Sequence, residues 1–271
     1  MNNSIEILRP AAVAKHARVA LFDFDGTLSI IRSGWEDVMI PMMVEELLAL
    51  NSGETEEQLT EIVKEFVGRL TGKQTIYQMI ELCDQITRRG GQPADPLVYK
   101  HRYLDLLLQR IQGRLDDLRA GRVPPDQYLV PGSRPLLEGL KERGFKLFLA
   151  SGTDDQYVKD EANLLDVTRY FDGGVYGALD DYKSFSKAIL IKRLIENAGF
   201  SGDEFLGFGD GYVEIENVRQ VGGITVGVAS DEPACEKVND WKRNRLIGVG
   251  ADYIVPNFLA HEELFRLLFP N

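Results

Sequence analysis

Residues 19–28 read VALFDFDGTL: apolar positions 19–22, then Asp23-Phe24-Asp25-Gly26-Thr27, then Leu28. The apolar run has the length of a buried strand, and it ends in two carboxylates one residue apart. Along an extended chain residues i and i+2 point to the same side, so Asp23 and Asp25 start out facing the same way. Like charges that close raise each other's pKa unless a cation lies between them. Either one carboxyl keeps its proton or a positive group sits there. A plain strand end leading into a helix N-cap would also use Asp, Gly and Thr, since all three are common turn and cap residues. Taken alone, the stretch leaves both readings open.

Further apolar runs of strand length stand at 146–151 (KLFLAS), 204–209 (EFLGFG), 224–229 (ITVGVA) and 252–256 (DYIVP). Between the later ones lie helical patterns, such as 186–197 (SKAILIKRLIEN), which Gly199 stops. Strands alternating with helices predict an α/β fold, a Rossmann-like doubly wound parallel sheet with helices on both faces. Its ligand site is expected at the carboxyl ends of the strands. The interval from 34 to about 128 differs, with almost no β-branched alternation. It carries amphipathic helical patterns at 35–50, 54–70, 73–89 and 95–119, broken at NSG, TG, GGQP and Pro124-Pro125. An all-helical cap over 34–128 is therefore expected, inserted into a core of 1–33 and 129–271.

With 271 residues, 44% of them hydrophobic, the chain can bury a sizeable core in one large domain or two. A formal net charge of -11 repels a nucleic-acid backbone, so no nucleic-acid partner is expected. No stretch approaches the roughly 18 consecutive apolar residues of a membrane span. The start, MNNSIEILRP, lacks the basic-then-apolar layout of a signal peptide. The expectation is a cytoplasmic protein with no membrane partner. Cys83 and Cys235 stand far apart with no Cys or His at ligand spacing, so neither a disulfide nor a zinc site is expected.

The runs at 19, 146 and 204 all end in polar residues that could meet at one sheet edge. The second ends in Ala150-Ser151-Gly152-Thr153, a small hydroxyl before a glycine turn into a helix beginning near Asp154. The third ends in Gly209-Asp210-Gly211-Tyr212-Val213-Glu214, an acidic pair four apart at a strand-to-helix turn. Lys187 lies between them in sequence, at a helix start. Singly, a Ser before a helix reads as a cap and a helix-end Lys as solvated. Their order and spacing together say more.

In these residues the chain resembles the phosphatase branch of the haloacid dehalogenase superfamily. The family's Asp-x-Asp-x-Thr motif falls on Asp23, Asp25 and Thr27, extended by Gly26 and Leu28. The Ser or Thr that ends a later strand falls on Ser151. The Lys falls on Lys187, with Lys183 as competitor, and the Gly-Asp motif with its second acid falls on Gly209, Asp210 and Glu214. The resemblance covers about 18–33 and 129–256, while the helical insert matches by position alone. Glu214 departs from the more usual Asp, and its greater length suits it to a metal directly or through a water.

The resemblance implies a chemistry that gives each residue a reason. Asp23 would be the nucleophile, forming an aspartyl-phosphate. Asp25 would be general acid to the leaving oxygen and then base to water. Mg²⁺, a hard ion suited to oxygen ligands, would be held by Asp23, the backbone carbonyl of Asp25 and Asp210, with Glu214 in or near the shell. Ser151, Gly152 and Lys187 would hold the phosphoryl oxygens, Lys187 also keeping Asp23 ionised. Thr27 belongs with the same phosphate-binding set, more by orienting Asp25 and its loop than by touching substrate. A cap hinged near 31–34 and 127–131 would close over the site. In it the polar turn TGKQT (71–75) could offer Lys73 to the substrate, though a helix N-terminus with a solvated Lys is the simpler reading of that turn. The expected substrate is a small phosphorylated metabolite such as a sugar phosphate.

Other functions fit less well. A dehalogenase would share Asp23 but needs neither a metal nor Asp25. A phosphomutase keeps the chemistry and returns the phosphoryl group to a sugar. A dinucleotide-binding module is suggested by Gly207-Phe208-Gly209-Asp210-Gly211, yet the third glycine of the pattern would fall on Tyr212. A non-catalytic binding protein would tolerate loss of Asp23 or Asp25, and both are present.

Overall fold

The computed structural model describes residues 5–270, so the first four residues of the amino-terminal stretch and Asn271 lie outside it. Its strands are β1 (Glu6–Ile7), β2 (Val19–Phe22), β3 (Lys146–Asp154), β4 (Gly174–Ala178), β5 (Phe205–Gly209), β6 (Ile224–Val228) and β7 (Tyr253–Val255). They form one sheet in the order β1-β7-β6-β5-β2-β3-β4. Every neighbouring pair is parallel except β1 with β7. The chain leaves β2 for β3 and the edge strand β4, then returns to β5 on the far side of β2. The strand order thus reverses between β2 and β5, where α/β sheets bind ligands.

Two of these strands are not legible in the sequence. β1 is two residues long, and β4 (GVYGA) is a half-buried edge strand opening on Gly174, which has φ +112°. β3 also runs three residues past its expected end at 151, through a register shift between Ala150 and Asp154.

Between β2 and β3 the chain forms α1 (Glu36–Leu48), α2 (Glu56–Leu70), α3 (Ile76–Arg88) and α4 (Pro96–Arg119). Local chemistry sets their ends. Thr55 and Gln58 make a reciprocal capping box at the start of α2. Asp95 accepts from the Leu97 amide at 2.8 Å, with Pro96 as the first residue of α4. α3 starts at Ile76 rather than near 73, because Gly72 at φ +95° makes 71–75 a turn. The two connections to the sheet run side by side: the Ile30 amide donates to the Tyr128 carbonyl (2.9 Å) and the Val130 amide to the Leu28 carbonyl (2.8 Å).

The remaining helices are α5 (Ser133–Glu142), α6 (Asp155–Leu164), α7 (Lys187–Ala198), α8 (Tyr212–Gln220), α9 (Asp240–Gly248) and α10 (His261–Leu268). Alternation along β2 divides the core. Val19 and Leu21 pack with Phe148, Leu190, Ile191 and Val218, beneath α7 and α8. Ala20 and Phe22 pack with Leu137, Val158, Phe208 and Leu264 on the other face, and the Phe22 ring stacks on Phe208 at 4.4 Å. Asp23 follows the Val19–Leu21 parity, on the side where α7 begins with Lys187. The register levels the three central strands, Phe22 lying beside Leu149 and Phe208, so their ends converge.

Candidate active site

Asp23 is buried, and its amide donates to the Phe208 carbonyl at 2.9 Å. Its Oδ1 accepts from Lys187 Nζ at 2.7 Å, and the same ammonium donates to Glu214 Oε2 at 2.5 Å. Glu214 has no exposed surface, and its Oε1 accepts from the Gly211 amide at 2.9 Å. Ser186 caps α7 through the Ile189 amide and so fixes the helix start that carries Lys187. A Cβ at Gly209 would lie 2.0 Å from Glu214 Cγ, so only glycine lets that side chain fold back over β5. The geometry brings Lys187 to Asp23. Lys183 is exposed, its ammonium 5.8 Å from the Tyr182 ring centre.

Asp25 sits in a different setting. Its Oδ2 accepts from Thr153 Oγ1 at 2.8 Å and Ser151 Oγ at 3.2 Å, and Ser151 Oγ in turn accepts from the Thr153 amide. Asp25 Oδ1 is buried with no hydrogen bond. Gly26, at φ +73°, turns the chain where a Cβ would stand 2.2 Å from Asp210 Oδ2. Thr27 Oγ1 accepts from the Asp210 amide at 2.9 Å, so Thr27 joins the first motif to the fourth and does not line the cavity above them.

Asp23, Asp210 and Glu214 each offer a carboxylate oxygen within 4.8 Å of the others. An all-oxygen donor set of this kind fits a hard divalent cation. Charge points the same way. Burial, then Glu214 and Asp210, push the Asp23 carboxyl well above its usual range against the pull of Lys187. Burial alone would lower the Lys187 ammonium, but Asp23 and Glu214 outweigh it and hold the group above its usual range, so it stays charged. Two lysines, Lys187 and Lys242, stand among the four carboxylates Asp23, Asp210, Glu214 and Glu232, which leaves room for more positive charge. Both Glu214 oxygens are already engaged, which leaves Asp23 and Asp210 as the better placed of the three.

A cavity of about 110 Å³ opens over these groups. Asp23, Asp25, Ser151, Gly152, Lys73 and Asp210 line it, while Lys187 lines an adjoining cavity on the far side of the 72–74 turn. The Lys73 side chain is exposed, its ammonium 5.5 Å from the Tyr77 ring centre. Gly152 serves packing at this point, since a Cβ there would lie 2.8 Å from the Lys73 carbonyl oxygen.

Sequence reasoning missed several neighbours. Thr153 stands two residues after Ser151, and strand alternation could have paired them. Lys242 gave no signal: from α9 it reaches Asp210 Oδ2 at 2.9 Å and Glu232 Oε1 at 2.6 Å, while Glu232 Oε2 accepts from Ser33 Oγ at 2.9 Å. Burial works against the Lys242 ammonium, but Asp210 and Glu232 hold it above its usual range. Asp210 is thus tied on one side to Thr27 and on the other, through Lys242 and Glu232, to the connection leading into the helical insert.

The sequence pattern of the haloacid dehalogenase-like hydrolases matches residues 17–222. The chain belongs to that family. This hydrolase shares its fold with solved structures of low identity. β-Phosphoglucomutase from Clostridium difficile is 13% identical, with a TM-score of 0.61 over 93% of this chain and 97% of that one. A protein described as a predicted phosphoglycolate phosphatase from Haemophilus somnus is 15% identical, at 0.59 over 92% and 98%. The HAD hydrolase YfnB from Bacillus subtilis, described as bound to magnesium and showing interdomain movement, is 14% identical, at 0.54 over 94% and 99%. No curated protein matches the chain.

The hydrolase's helical cap is docked on the sheet edge by polar contacts at both ends. Arg245 of α9 donates to the Gly68, Arg69 and Thr71 carbonyls at the end of α2, its guanidinium lying over the Tyr212 and Trp241 rings. Gln74 donates to the Phe185 carbonyl at 2.6 Å, and Lys100 of α4 meets Asp154 at 2.7 Å and Asp180 at 3.0 Å. Glu232 and Lys242 lie beyond the family match. Among the described residues no helix is long and apolar enough to cross a membrane.

Proposed function

We propose that this hydrolase is a Mg²⁺-dependent phosphatase of the cytoplasm, acting on a small phosphorylated metabolite such as a sugar phosphate through an aspartyl-phosphate. One observation carries the reading: the two carboxylates that end β2 have unlike partners, Asp23 an ammonium and Asp25 two hydroxyls, and both face one cavity. The dehalogenase alternative leaves the second carboxylate without a task. We assign residues 34–128 to the cap and 1–33 with 129–271 to the core.

Asp23 attacks phosphorus with the oxygen that Lys187 leaves unbonded, while Lys187 holds the other. As the bond from phosphorus to the leaving oxygen breaks, Asp25 gives that oxygen its proton. Water then attacks the aspartyl-phosphate, Asp25 takes its proton, and inorganic phosphate leaves with Asp23 regenerated. Asp23 and Asp210, with the backbone carbonyl of Asp25 and Glu214 in support, would hold Mg²⁺, which when bound neutralises charge at the nucleophile and at a phosphoryl oxygen. Ser151, the backbone at Gly152 and Lys73 serve the bound phosphoester, and Thr27 positions the loop of Asp210. The magnesium and interdomain movement described for YfnB support the metal and a cap that opens.

The test is release of inorganic phosphate from a panel of phosphorylated metabolites with Mg²⁺. Asp23→Asn should lower turnover by at least about a thousandfold with the fold intact, an amide being a far poorer nucleophile. Substantial release by folded Asp23→Asn protein would exclude the assignment. Recovery of phosphate on a sugar instead of free in solution would make the enzyme a mutase.

A further inference from the structure

The cavity above Asp23 and Asp25 is walled on one side by Arg32, half of an ion pair that the chemistry proposed above does not use. Arg32 follows the first motif at the exit from the sheet, and its guanidinium meets Glu161 of α6 through Nε (3.0 and 3.1 Å) and Nη2 (2.6 Å). Arg32 is 5% exposed and Glu161 1%. Stability is a poor account of such a pair, because desolvating two ions offsets most of their attraction. Arg32 lines the cavity, and its Nη1 has no hydrogen bond among the described residues.

The opposite wall comes from the cap. Tyr103 of α4 is 4% exposed and lines the cavity, and its hydroxyl has no hydrogen bond among the described residues. Gln78 of α3 bonds the Val67 carbonyl through its amide nitrogen at 3.3 Å, leaving its oxygen without a partner. Trp35 and Met39 complete the wall. Across from the buried, unpartnered Asp25 Oδ1 the pocket therefore presents donors, an acceptor and apolar faces. Of its two lining cations, Lys73 stands on the 71–75 turn and is assigned above to the phosphoester, and at the Arg32 wall Glu161 cancels the charge of Arg32 before Asp25, 3.9 Å from Arg32 Nε, is counted.

We propose that Glu161, by neutralising Arg32, is a specificity-determining residue: it makes the leaving-group pocket select phosphomonoesters whose alcohol carries uncharged hydroxyls and reject those whose alcohol carries a carboxylate. The inference rests on the phosphatase reading. A carboxylate placed against the Arg32 wall meets Asp25 and an arginine whose charge Glu161 has already cancelled from behind, while Lys73 is engaged by the phosphoester, an arrangement that selects by repulsion. Hydroxyls find donors in Arg32 Nη1 and Tyr103 and an acceptor in Gln78, and the carbon face of a short polyol lies against Trp35. At roughly 10–15 Å³ per water-sized group, a cavity of about 110 Å³ takes a phosphoryl group and a three-carbon alcohol.

The test compares two substrates of equal length, glycerol 3-phosphate and 3-phosphoglycerate, with acetyl phosphate as a reference donor, on the full chain with Mg²⁺. The wild type should favour glycerol 3-phosphate in kcat/KM by at least about tenfold. Glu161→Gln should reduce that ratio by about tenfold or more, chiefly through a lower KM for 3-phosphoglycerate. Tyr103→Phe should raise KM for glycerol 3-phosphate more than it lowers kcat, and it decides the matter should Glu161→Gln not fold. Equal use of the two substrates by a wild type that hydrolyses acetyl phosphate would overturn this inference alone, as would unchanged ratios in folded variants. No phosphate release from acetyl phosphate would remove the phosphatase reading and this inference with it.

Discussion

Asp23 and Asp25 share a strand end and a chemical type, and their neighbours give them different work. In the proposed chemistry the buried carboxylate beside an ammonium is the nucleophile, and the one between hydroxyls takes and gives a proton. The acids of the fourth motif divide in the same manner, Glu214 being spent on Lys187 and the Gly211 amide, Asp210 being held only at its edge by Lys242. Asp210→Asn should therefore weaken Mg²⁺ binding by about tenfold or more in calorimetric titration, and Glu214→Gln by less. Glu214→Gln should instead cost about 3 kcal/mol of stability, because it leaves Lys187 with one buried partner fewer. The reverse order of metal affinities would exchange the two roles. Burial raises the Cys83 thiol and pushes that of Cys235 up to about 11. Both should react slowly with a thiol reagent at pH 8 until denaturant is added, and fast modification of the native protein would contradict their placement. The acids were legible because each stands at or just past the end of a readable strand, whereas the choice between Lys187 and Lys183 waited on where α7 starts. Lys242 and Glu232 were not, since they arrive through packing that no spacing encodes.

Elements meet here through turns as much as through apolar faces. The 71–75 turn lies so close to β3 that Gly152→Ala would set a methyl 2.8 Å from the Lys73 carbonyl oxygen, a main-chain atom that cannot move aside alone. The cap should then dock poorly, with kcat/KM down about tenfold and little change in melting temperature. An equal loss of stability and activity would mean that the glycine serves the core instead. Lys73→Ala, by contrast, should raise KM for the native metabolite more than it lowers kcat if its side chain reaches bound substrate, and unchanged kinetics would leave it a surface charge. At the other end of the cap, the Asp180 carboxyl is held below its ordinary range first by its hydrogen bond to Lys100. A lowered carboxyl contributes stability above its unfolded pKa and loses it as pH falls through the folded value, so this contact fades below about pH 4. Asp180 is 62% exposed, so the effect is under about 1 kcal/mol. Asp180→Asn should lower the melting temperature slightly at pH 7 and not at pH 3; an equal effect at both would show that charge is not its cause. The helical periods of the insert were readable from sequence to within a few residues. The start of α3 was misplaced because TGKQT has the composition of a cap but the backbone of a turn.

Over the whole molecule, the placement of the site follows from topology. The chain order β2, β3, β4, β5 around a central β2 puts three strand ends beside the point where the order reverses, and the insert after β2 lands its turns on that edge. Five of the seven strands (β2, β3, β5, β6 and β7) and the insertion were visible as apolar runs and helical patterns, since both depend on burial of regular faces. The closeness of cap and core was not, because Arg245, Gln74 and Lys100 act through main-chain carbonyls and single carboxylates. The net charge of -11 makes the site depend on fixed local cations rather than on the average field. The proposed chemistry requires Asp23 to become covalently phosphorylated. Rapid acid quenching during turnover of acetyl phosphate, borohydride reduction of the acyl phosphate and peptide mass spectrometry test this most directly. The reduced, homoserine-type product is predicted at residue 23 in the wild type and absent in Asp23→Asn. Modification at another residue, or phosphate release in the Asn variant at the wild-type rate, would contradict the account.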